Sequence, residues 1–164
     1  MEYILSDTHF GHFNVIRYAS RPFITIEEMD GTMMNYWNDI INPEDIVWHL
    51  GDVCFKWNKE RTANFIMHLN GRKKLILGNH DKSRSITWWK DVGFEEIFDK
   101  PVRYNDNFIF SHEPMFVVPD RMINVHGHIH EKKIDLPNPE KYINVSVEQI
   151  GYKPKLLSEV LVWP

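Results

Sequence analysis

The sequence predicts an α/β fold, and two observations indicate it. Short apolar runs bounded by Gly and Asn are typical of buried strands. Five such runs occur: Tyr3-Ile4-Leu5, Ile46 to Leu50, Leu75-Ile76-Leu77, Phe108-Ile109-Phe110 and Ile123-Asn124-Val125. Helical stretches separate the early runs, whereas short turns join the later ones. This order favours strands that pair in both parallel and antiparallel directions.

The helices are predicted from caps and from apolar spacing. A helical turn is expected at 14–19, and a longer helix opens at Thr25, because Thr25-Ile26-Glu27-Glu28 is a capping box. Apolar residues at helical spacing predict its buried side: Ile26, Met29, Met33, Trp37, Ile40 and Ile41. Further helices are expected at 58–69 and 83–92, with a turn at 104–107 and a strand at 142–147.

Composition indicates a single domain, residues 1–164, long enough to bury most of its apolar surface. Its 43% hydrophobic and 26% charged residues are ordinary for a globular protein. No run of about 18 apolar residues occurs, and no basic leader precedes the first strand, so neither a membrane span nor a secretion signal is expected. The only cysteine, Cys54, excludes an intramolecular disulfide, and we expect a cytoplasmic protein.

The net charge bears on the kind of partner. A formal charge of −4 argues against a strong nucleic-acid platform, for which a basic face is the expected footprint. Bound divalent cations would reverse that sign locally. The charge therefore speaks against tracking along a long polyanion, and it does not speak against a small anionic substrate.

Each of the five apolar runs ends in residues that bind metals. Open α/β sheets bind ligands beyond the carboxyl ends of their strands, so these segments are directed at one place. The candidate ligands are Asp7, His9, Asp52, Asn79, His112, His128 and His130. Mixed oxygen and nitrogen ligands suit Mn²⁺, Fe, Zn²⁺ or Ni²⁺ better than Ca²⁺.

Seven ligands are too many for one ion and fit two divalent ions about 3.5–4 Å apart. Asp7 and His9 are two residues apart, which would place both side chains on one side of an extended segment, and the same spacing relates His128 to His130. Asp52 follows a glycine, and the two oxygens of its carboxylate are predicted to bridge the two ions.

These motifs resemble the calcineurin-like metallophosphoesterases. The family pattern D-x-H, GD, GNH[DE], His and GHxH is matched in order by Asp7-Thr8-His9, Gly51-Asp52, Gly78 to Asp81, His112 and Gly127 to His130. The match spans residues 4 to 130. The stretch 7–16, Arg21-Pro22-Phe23 and Asn144-Val145-Ser146 resemble a branch of small stand-alone phosphoesterases from bacteria and their phages.

The resemblance implies a four-layer α-β-β-α sandwich in which helices flank two mixed β-sheets. It also implies hydrolysis of phosphate esters by water activated between two metal ions, with Mn²⁺ the first choice. It assigns His130 to the first ion and His128 to the second. His80 would face the substrate as an acid or electrostatic aid, and Asp81 would hold the His80 ring.

Within this chemistry, a phosphodiesterase acting on small diesters or nucleotides is the preferred hypothesis. A phosphomonoesterase and a nuclease are the alternatives, and a non-catalytic metal-binding scaffold is more remote because the whole ligand set is present. His12 and Asn14 lie close to the first ligands in the sequence and are predicted to contact substrate. The sequence leaves the oligomeric state open.

Overall fold

Two mixed β-sheets form the centre of the protein, whose computed structural model describes residues 1–162. Residues 163 and 164, which the predicted domain includes, lie outside the described residues. The strands are β1 Glu2–Leu5, β2 Ile46–His49, β3 Arg72–Ile76, β4 Phe94–Phe98, β5 Val102–Arg103, β6 Phe108–Phe110, β7 Ile123–His126, β8 Tyr142–Asn144 and β9 Lys155–Leu156. The helices are α1 Phe13–Tyr18, α2 Ile26–Ile40, α3 Lys59–Met67, α4 Ile86–Asp91 and α5 Leu157–Val160. Two short 3₁₀ helices cover Asp81–Ser83 and Pro139–Lys141.

Both sheets combine parallel and antiparallel pairs. The first has the order β4-β3-β2-β1-β9, in which only the β1–β9 pair is antiparallel. The second has the order β5-β6-β7-β8, in which only the β5–β6 pair is antiparallel. The mixed character predicted for the sheets is confirmed.

The layers follow from two clusters of buried apolar side chains. One lies between the sheets, where Ile4 and Trp48 of the first sheet pack with Phe110 and Val125 of the second. The other lies between the first sheet and the helices, and it contains the predicted apolar stripe of α2 except Ile26, which is half-buried and lies outside the cluster. The 3₁₀ helix at 139–141 contacts β7 of the second sheet. Two sheets flanked by helices were predicted, and the structure confirms them.

Side-chain caps explain where the longer helices begin. Thr25 Oγ1 accepts the Glu28 N–H at 3.1 Å, and the Glu28 carboxylate in turn accepts the Ile24 N–H at 2.8 Å. Asn58 and Ser85 cap α3 and α4 in the same manner. These bonds satisfy N–H groups that the first helical turn leaves without partners.

Among the strands and α-helices, three were not expected from the sequence: β4, β9 and α5. Strand β4 reads Phe-Glu-Glu-Ile-Phe, in which the exposed Glu95 and Glu96 interrupt the apolar pattern. Strand β9 has only two residues and exists because it pairs with β1. Such edge elements depend on neighbours that are distant in the sequence, and local periodicity does not reveal them.

The two sheets join at one end of the sandwich. Ser6, directly after β1, forms a parallel bridge with Ser146, which follows β8. Ser6 N donates to Val145 O at 2.9 Å, and Val147 N donates to Ser6 O at 3.0 Å. The carboxyl ends of strands from both sheets therefore open at the same place.

No helix within residues 1–162 is long and apolar enough to cross a lipid bilayer.

Candidate metal centre

The predicted ligands gather where the two sheets join. Their donor atoms form groups within 4.8 Å of one another, and these groups come from segments that are far apart in the sequence. Asp7, His9, Asp52 and His112 are buried, whereas His128 and His130 are half-buried and Asn79 is exposed. Buried and exposed donors therefore adjoin at the site.

The first ligand set consists of Asp7, His9 and His130. Asp7 Oδ2 accepts the His128 N–H at 2.8 Å and the Ser146 hydroxyl at 3.0 Å. Asp7 Oδ1 and both ring nitrogens of His9 are buried and have no hydrogen-bond partner. Buried polar atoms without partners are costly, and two of these, Asp7 Oδ1 and His9 Nε2, lie 3.9 Å apart.

The second ligand set consists of Asp52, Asn79, His112 and His128. Asn79 Oδ1 lies 3.0 Å from His112 Nε2 and 3.0 Å from His128 Nδ1. His112 Nδ1 lies 2.7 Å from the Leu50 carbonyl, which can only accept, so the proton sits on Nδ1. The Nε2 lone pair of His112 is left for a cation.

Asp52 lies between the two sets. Its Oδ2 atom is 3.4 Å from His9 Nε2 and 3.5 Å from His112 Nε2. Its Oδ1 atom accepts the backbone N–H of His80 at 3.0 Å. A single oxygen, Oδ2, therefore faces both sets, whereas the bridge predicted from the sequence was expected to use the two oxygens of the carboxylate.

The backbone at the ligands is left-handed, contrary to the extended geometry expected from the i, i+2 spacing. The φ angles are 60° at Asp7, 49° at His9, 57° at Asp52, 70° at His128 and 52° at His130. This conformation costs a non-glycine residue about 1–2 kcal/mol. The side chains converge as predicted, but a left-handed backbone and not a strand pleat brings them together.

Glycines of the motifs make room for the carboxylates. A Cβ on Gly78 would lie 2.1 Å from Asp52 Oδ1, and a Cβ on Gly127 would lie 2.2 Å from Asp7 Oδ2. Gly51 has a φ of 99°, and a Cβ there would meet the Gly78 backbone at 2.5 Å. These glycines permit loops from different strands to approach within contact distance.

The role predicted for Asp81 is wrong. Its Oδ2 accepts the N–H groups of Asp52 at 2.6 Å and of Gly78 at 2.9 Å, and its Oδ1 accepts the Val53 N–H at 3.1 Å. Fully buried, the Asp81 carboxylate ties the loop after β2 to the loop after β3 and does not hold the His80 ring. Burial raises the pKa of Asp81 to about 7.

His80 is exposed at the site, whereas His12, whose ring centroid lies 6.2 Å from that of His80, is buried. The His80 side chain is 39% exposed, and its ring centroid lies 5.3 Å from that of His9. His12 stacks on Phe55 with ring centroids 3.8 Å apart, and Phe55 also contacts His80 edge to face at 5.8 Å. Asn14, the other predicted substrate contact, is exposed in the first turn of α1.

The electrostatics of the site reflect burial and close charges. Burial raises the pKa of Asp7 and lowers that of His9 well below its usual value. Burial is the largest influence on His112 and opposes its charged form, but the hydrogen bond to Asp52 and the charges of Asp7 and Asp52 together outweigh it and raise the His112 pKa to about 9. Burial is also the largest influence on Asp52, but the hydrogen bond and charge of His112, with His9 and the His80 N–H, together outweigh it and lower the Asp52 pKa. A cation bound between these groups would compete with their protons.

The residues present fit two divalent cations. Asp7 Oδ1 and His9 Nε2 are buried atoms without partners in the first set, and the His112 lone pair faces Asp52 and Asn79 in the second. Carboxylate, imidazole and amide oxygen together form the ligand type expected for first-row transition ions. Seven such donors in two adjoining groups match the requirements of a pair of ions better than those of one.

Three buried polar residues around the site were not singled out as functional by the sequence. Arg21 donates to the carbonyls of Asp7 and Thr8, and Glu148 accepts from the His130 ring. His49 accepts the Gly51 N–H through Nδ1 at 3.2 Å. Of these, only Arg21 lay in a stretch that resembled the bacterial and phage branch, and no pattern pointed to Glu148.

Comparison with known proteins places the chain. A family profile described as calcineurin-like phosphoesterase matches residues 3–161. An uncharacterised protein of Methanocaldococcus jannaschii is 38% identical across 97% of this chain and 88% of its own length. The gene 66 protein of Mycobacterium phage L5 is 36% identical, but the match covers only 46% of this chain and 37% of that protein.

Two solved structures share the fold. A protein of unknown function from Aquifex aeolicus superposes with a TM-score of 0.73 over 98% of this chain and 97% of its own, at 26% identity. The Pseudomonas putida nuclease MPE superposes with a TM-score of 0.54 over 79% of this chain and 61% of its own, at 17% identity, a likeness of fold alone. The profile match over almost the whole chain shows that it belongs to the calcineurin-like phosphoesterase family and is a metal-dependent hydrolase of phosphate esters.

Proposed function

We propose that this protein is a dinuclear phosphodiesterase acting on small phosphodiesters of the nucleotide type. The observation that carries the proposal is the position of Asp52 Oδ2, which lies 3.4 Å from His9 of the first ligand set and 3.5 Å from His112 of the second. An atom in that position can be shared by two cations. Asp7, His9 and His130 would hold one ion, and Asn79, His112 and His128 would hold the other.

The bound ions would polarise the phosphoryl oxygens and lower the pKa of a water molecule enough to make it a nucleophile. The donor set supports Mn²⁺ as the working ion, with Fe, Zn²⁺ and Ni²⁺ as alternatives. The protein's contribution is to hold seven donors in place with backbone and side-chain hydrogen bonds. No residue of the site needs to form a covalent bond to the substrate.

His80 is proposed to assist departure of the leaving oxygen. It is neither buried with the ligands nor free in solvent, since its side chain is 39% exposed and Nε2 lies 3.9 Å from Asp52 Oδ2. Its backbone N–H donates to Asp52 Oδ1, and this hydrogen bond fixes the position of the backbone that carries the ring. An imidazole at the open side of a metal pair can donate a proton to, or hydrogen-bond, an oxygen that leaves.

The preference for diesters follows from the cations that the protein itself supplies. A monoester dianion normally draws fixed cations in addition to the metals, whereas a diester carries a single charge. The buried guanidinium nearest the site, Arg21, is fully engaged with two carbonyls and with Glu148. Arg84 donates to the Trp57 carbonyl and lies over the Trp88 ring. Neither is free to clamp a second phosphate charge.

An aromatic surface beside the metal centre supports a nucleotide substrate. His12 and Phe55 stack within reach of His80, and α1 presents Phe13 and Tyr18 with 52% and 72% of their surface exposed. Bases stack on such rings with little dependence on sequence. His12 is proposed as a substrate contact on this ground, and Asn14, on the same turn of α1, remains a prediction.

The experiment compares kcat/KM for bis-aryl and mono-aryl phosphates, each with a panel of divalent ions added to chelator-treated protein. We expect Mn²⁺ to restore hydrolysis and the diester to be the better substrate. A clear preference for the monoester would move the assignment to phosphomonoesterase. Rapid cleavage of single-stranded DNA or RNA with little activity on mononucleotide diesters would instead identify a nuclease.

A further inference from the structure

We propose that the buried ion pair between Arg21 and Glu148 is a positioning device for one of the two ion sites, that of the first ligand set. The inference rests on the two-ion site of the proposed function. The Arg21 side chain is 0% exposed and that of Glu148 is 4% exposed. A buried ion pair is weak ground for stability, because desolvation of its charges cancels most of their attraction. Its contacts suggest what it does instead.

Arg21 fixes the loop that carries two ligands of the first set. Nη2 donates to Asp7 O at 2.6 Å, and Nη1 donates to Thr8 O at 2.8 Å. Both carbonyls belong to the turn between Asp7 and His9, where the backbone is left-handed on either side. A planar guanidinium with donors in a fixed fork holds two adjacent carbonyls in one relative orientation. Arg21 therefore maintains a backbone conformation that Asp7 and His9 would not adopt on their own.

Glu148 fixes the third ligand of the same set. Its Oε1 accepts Arg21 Nε at 2.8 Å and His130 Nδ1 at 3.0 Å. A carboxylate only accepts, so the His130 proton is placed on Nδ1 and the Nε2 lone pair is free for a cation. The His130 ring also stacks on His9 with centroids 5.2 Å apart. One ion pair thus connects every ligand of the first set.

The second ligand set is oriented by other groups. His112 is held by the Leu50 carbonyl and Asp52 by the His80 N–H, and the two sets are joined through the His128 N–H, which donates to Asp7 Oδ2. The side-chain hydrogen bonds of Arg21 and Glu148 described above reach none of the ligands of the second set. Loss of the pair should consequently weaken one ion and spare the other.

The test measures metal binding by calorimetry on wild-type protein and on two variants, titrated with Zn²⁺. Glu148→Gln removes the charge and keeps an acceptor, whereas Glu148→Leu removes both at similar volume. We expect affinity at one site to fall roughly 10–100-fold, the usual effect of losing a carboxylate partner of a ligating histidine, with Leu worse than Gln. NMR signals of the imidazole nitrogens of His130 and His112 identify which set each ion enters.

Glu95→Gln is the matched control, because Glu95 forms an exposed ion pair with Arg72. The Glu95 side chain is 44% exposed and that of Arg72 is 58% exposed. It should leave both affinities unchanged. Equal weakening of the two ions in Glu148→Gln, or no weakening, would overturn the inference. If Glu148→Leu does not fold because Arg21 is left unpaired, the double variant Arg21→Met/Glu148→Leu removes both charges and should still show selective loss. Wild-type protein that binds fewer than two ions would refute the proposed function instead.

Discussion

At the scale of single residues, each carboxylate of the site uses one oxygen for hydrogen bonds within the protein and leaves the other available to a cation. Asp7 uses Oδ2 for two hydrogen bonds and leaves Oδ1 without a partner. Asp52 uses Oδ1 for the His80 N–H and presents Oδ2 to both ligand sets. This division means that each carboxylate is oriented before any cation arrives. Preorganisation of that kind lowers the cost of binding.

Replacing His80 tests whether it belongs with the ligands or with the substrate. His80→Ala should retain both metal ions, because the backbone N–H that bonds to Asp52 is unchanged. The expected fall in kcat is roughly 10²–10⁴, the usual range for lost acid–base assistance. Elemental analysis and steady-state kinetics on a substrate with a poor leaving group measure the two effects. Loss of an ion from the variant would make His80 a ligand.

At the scale of elements, the loops after the strands depend on close approach between backbones. The loop after β3 passes so near Asp52 that only glycine fits at position 78. Asp81, one turn further on, ties the same loop to the N–H groups of Asp52 and Val53. Together they set the distance between the ligands that follow β2 and β3, so a change in either loop should alter the metal centre.

Gly78→Ala should disrupt the second ligand set while leaving the sheets intact. The added methyl would lie 2.1 Å from Asp52 Oδ1 and 2.5 Å from Asp52 N, and backbone cannot move aside easily. We expect loss of at least one bound ion and of nearly all activity, with a circular dichroism spectrum close to that of wild type. Gly31→Ala is the control, since nothing lies within 4 Å of a Cβ there and alanine favours the helix. Full metal occupancy in Gly78→Ala would show that the loop has room to adjust.

The elements also show how far sequence alone reaches. Apolar runs ending in ligands predicted five strands and the place where they converge, because both signals are local in the chain. The capped helices α2, α3 and α4 were predicted for the same reason. Strand β9 and the hydrogen bond between His130 and Glu148 were not predicted, since each depends on a contact between residues that are distant in the sequence. Asp81 was misassigned because its neighbour in sequence, His80, is not the group to which it bonds in space.

At the scale of the whole molecule, burial of histidines links stability to pH. Burial lowers the pKa of His49 to about 3, opposed in part by Asp52. In the unfolded chain, the His49 ring takes up a proton near pH 6.5. Between these values the unfolded state binds more protons than the folded state, so stability is fully present above about pH 6.5 and is lost as the pH falls.

Substituting His49 should reduce that dependence. Urea unfolding of metal-free protein at several pH values is expected to show a slope about 1.4 kcal/mol per pH unit smaller for His49→Gln than for wild type between about pH 4 and 6. The variant should also be less stable at neutral pH, because His49 bonds to Thr8 and to Gly51. Equal slopes of the unfolding free energy against pH for His49→Gln and wild type would contradict the lowered pKa of His49.

The bridge between Ser6 and Ser146 has a consequence for the order of events on the ribosome. Asp7 emerges from the ribosome long before Ser146, whose hydroxyl donates a hydrogen bond to the Asp7 carboxylate. At roughly 5–20 residues per second, several seconds of translation separate the two. During that interval the nascent chain carries most of its metal-binding side chains without the geometry to use them. Acquisition of the ions is therefore a late step of maturation, and nascent chains arrested before residue 146 should bind Zn²⁺ far more weakly than released protein.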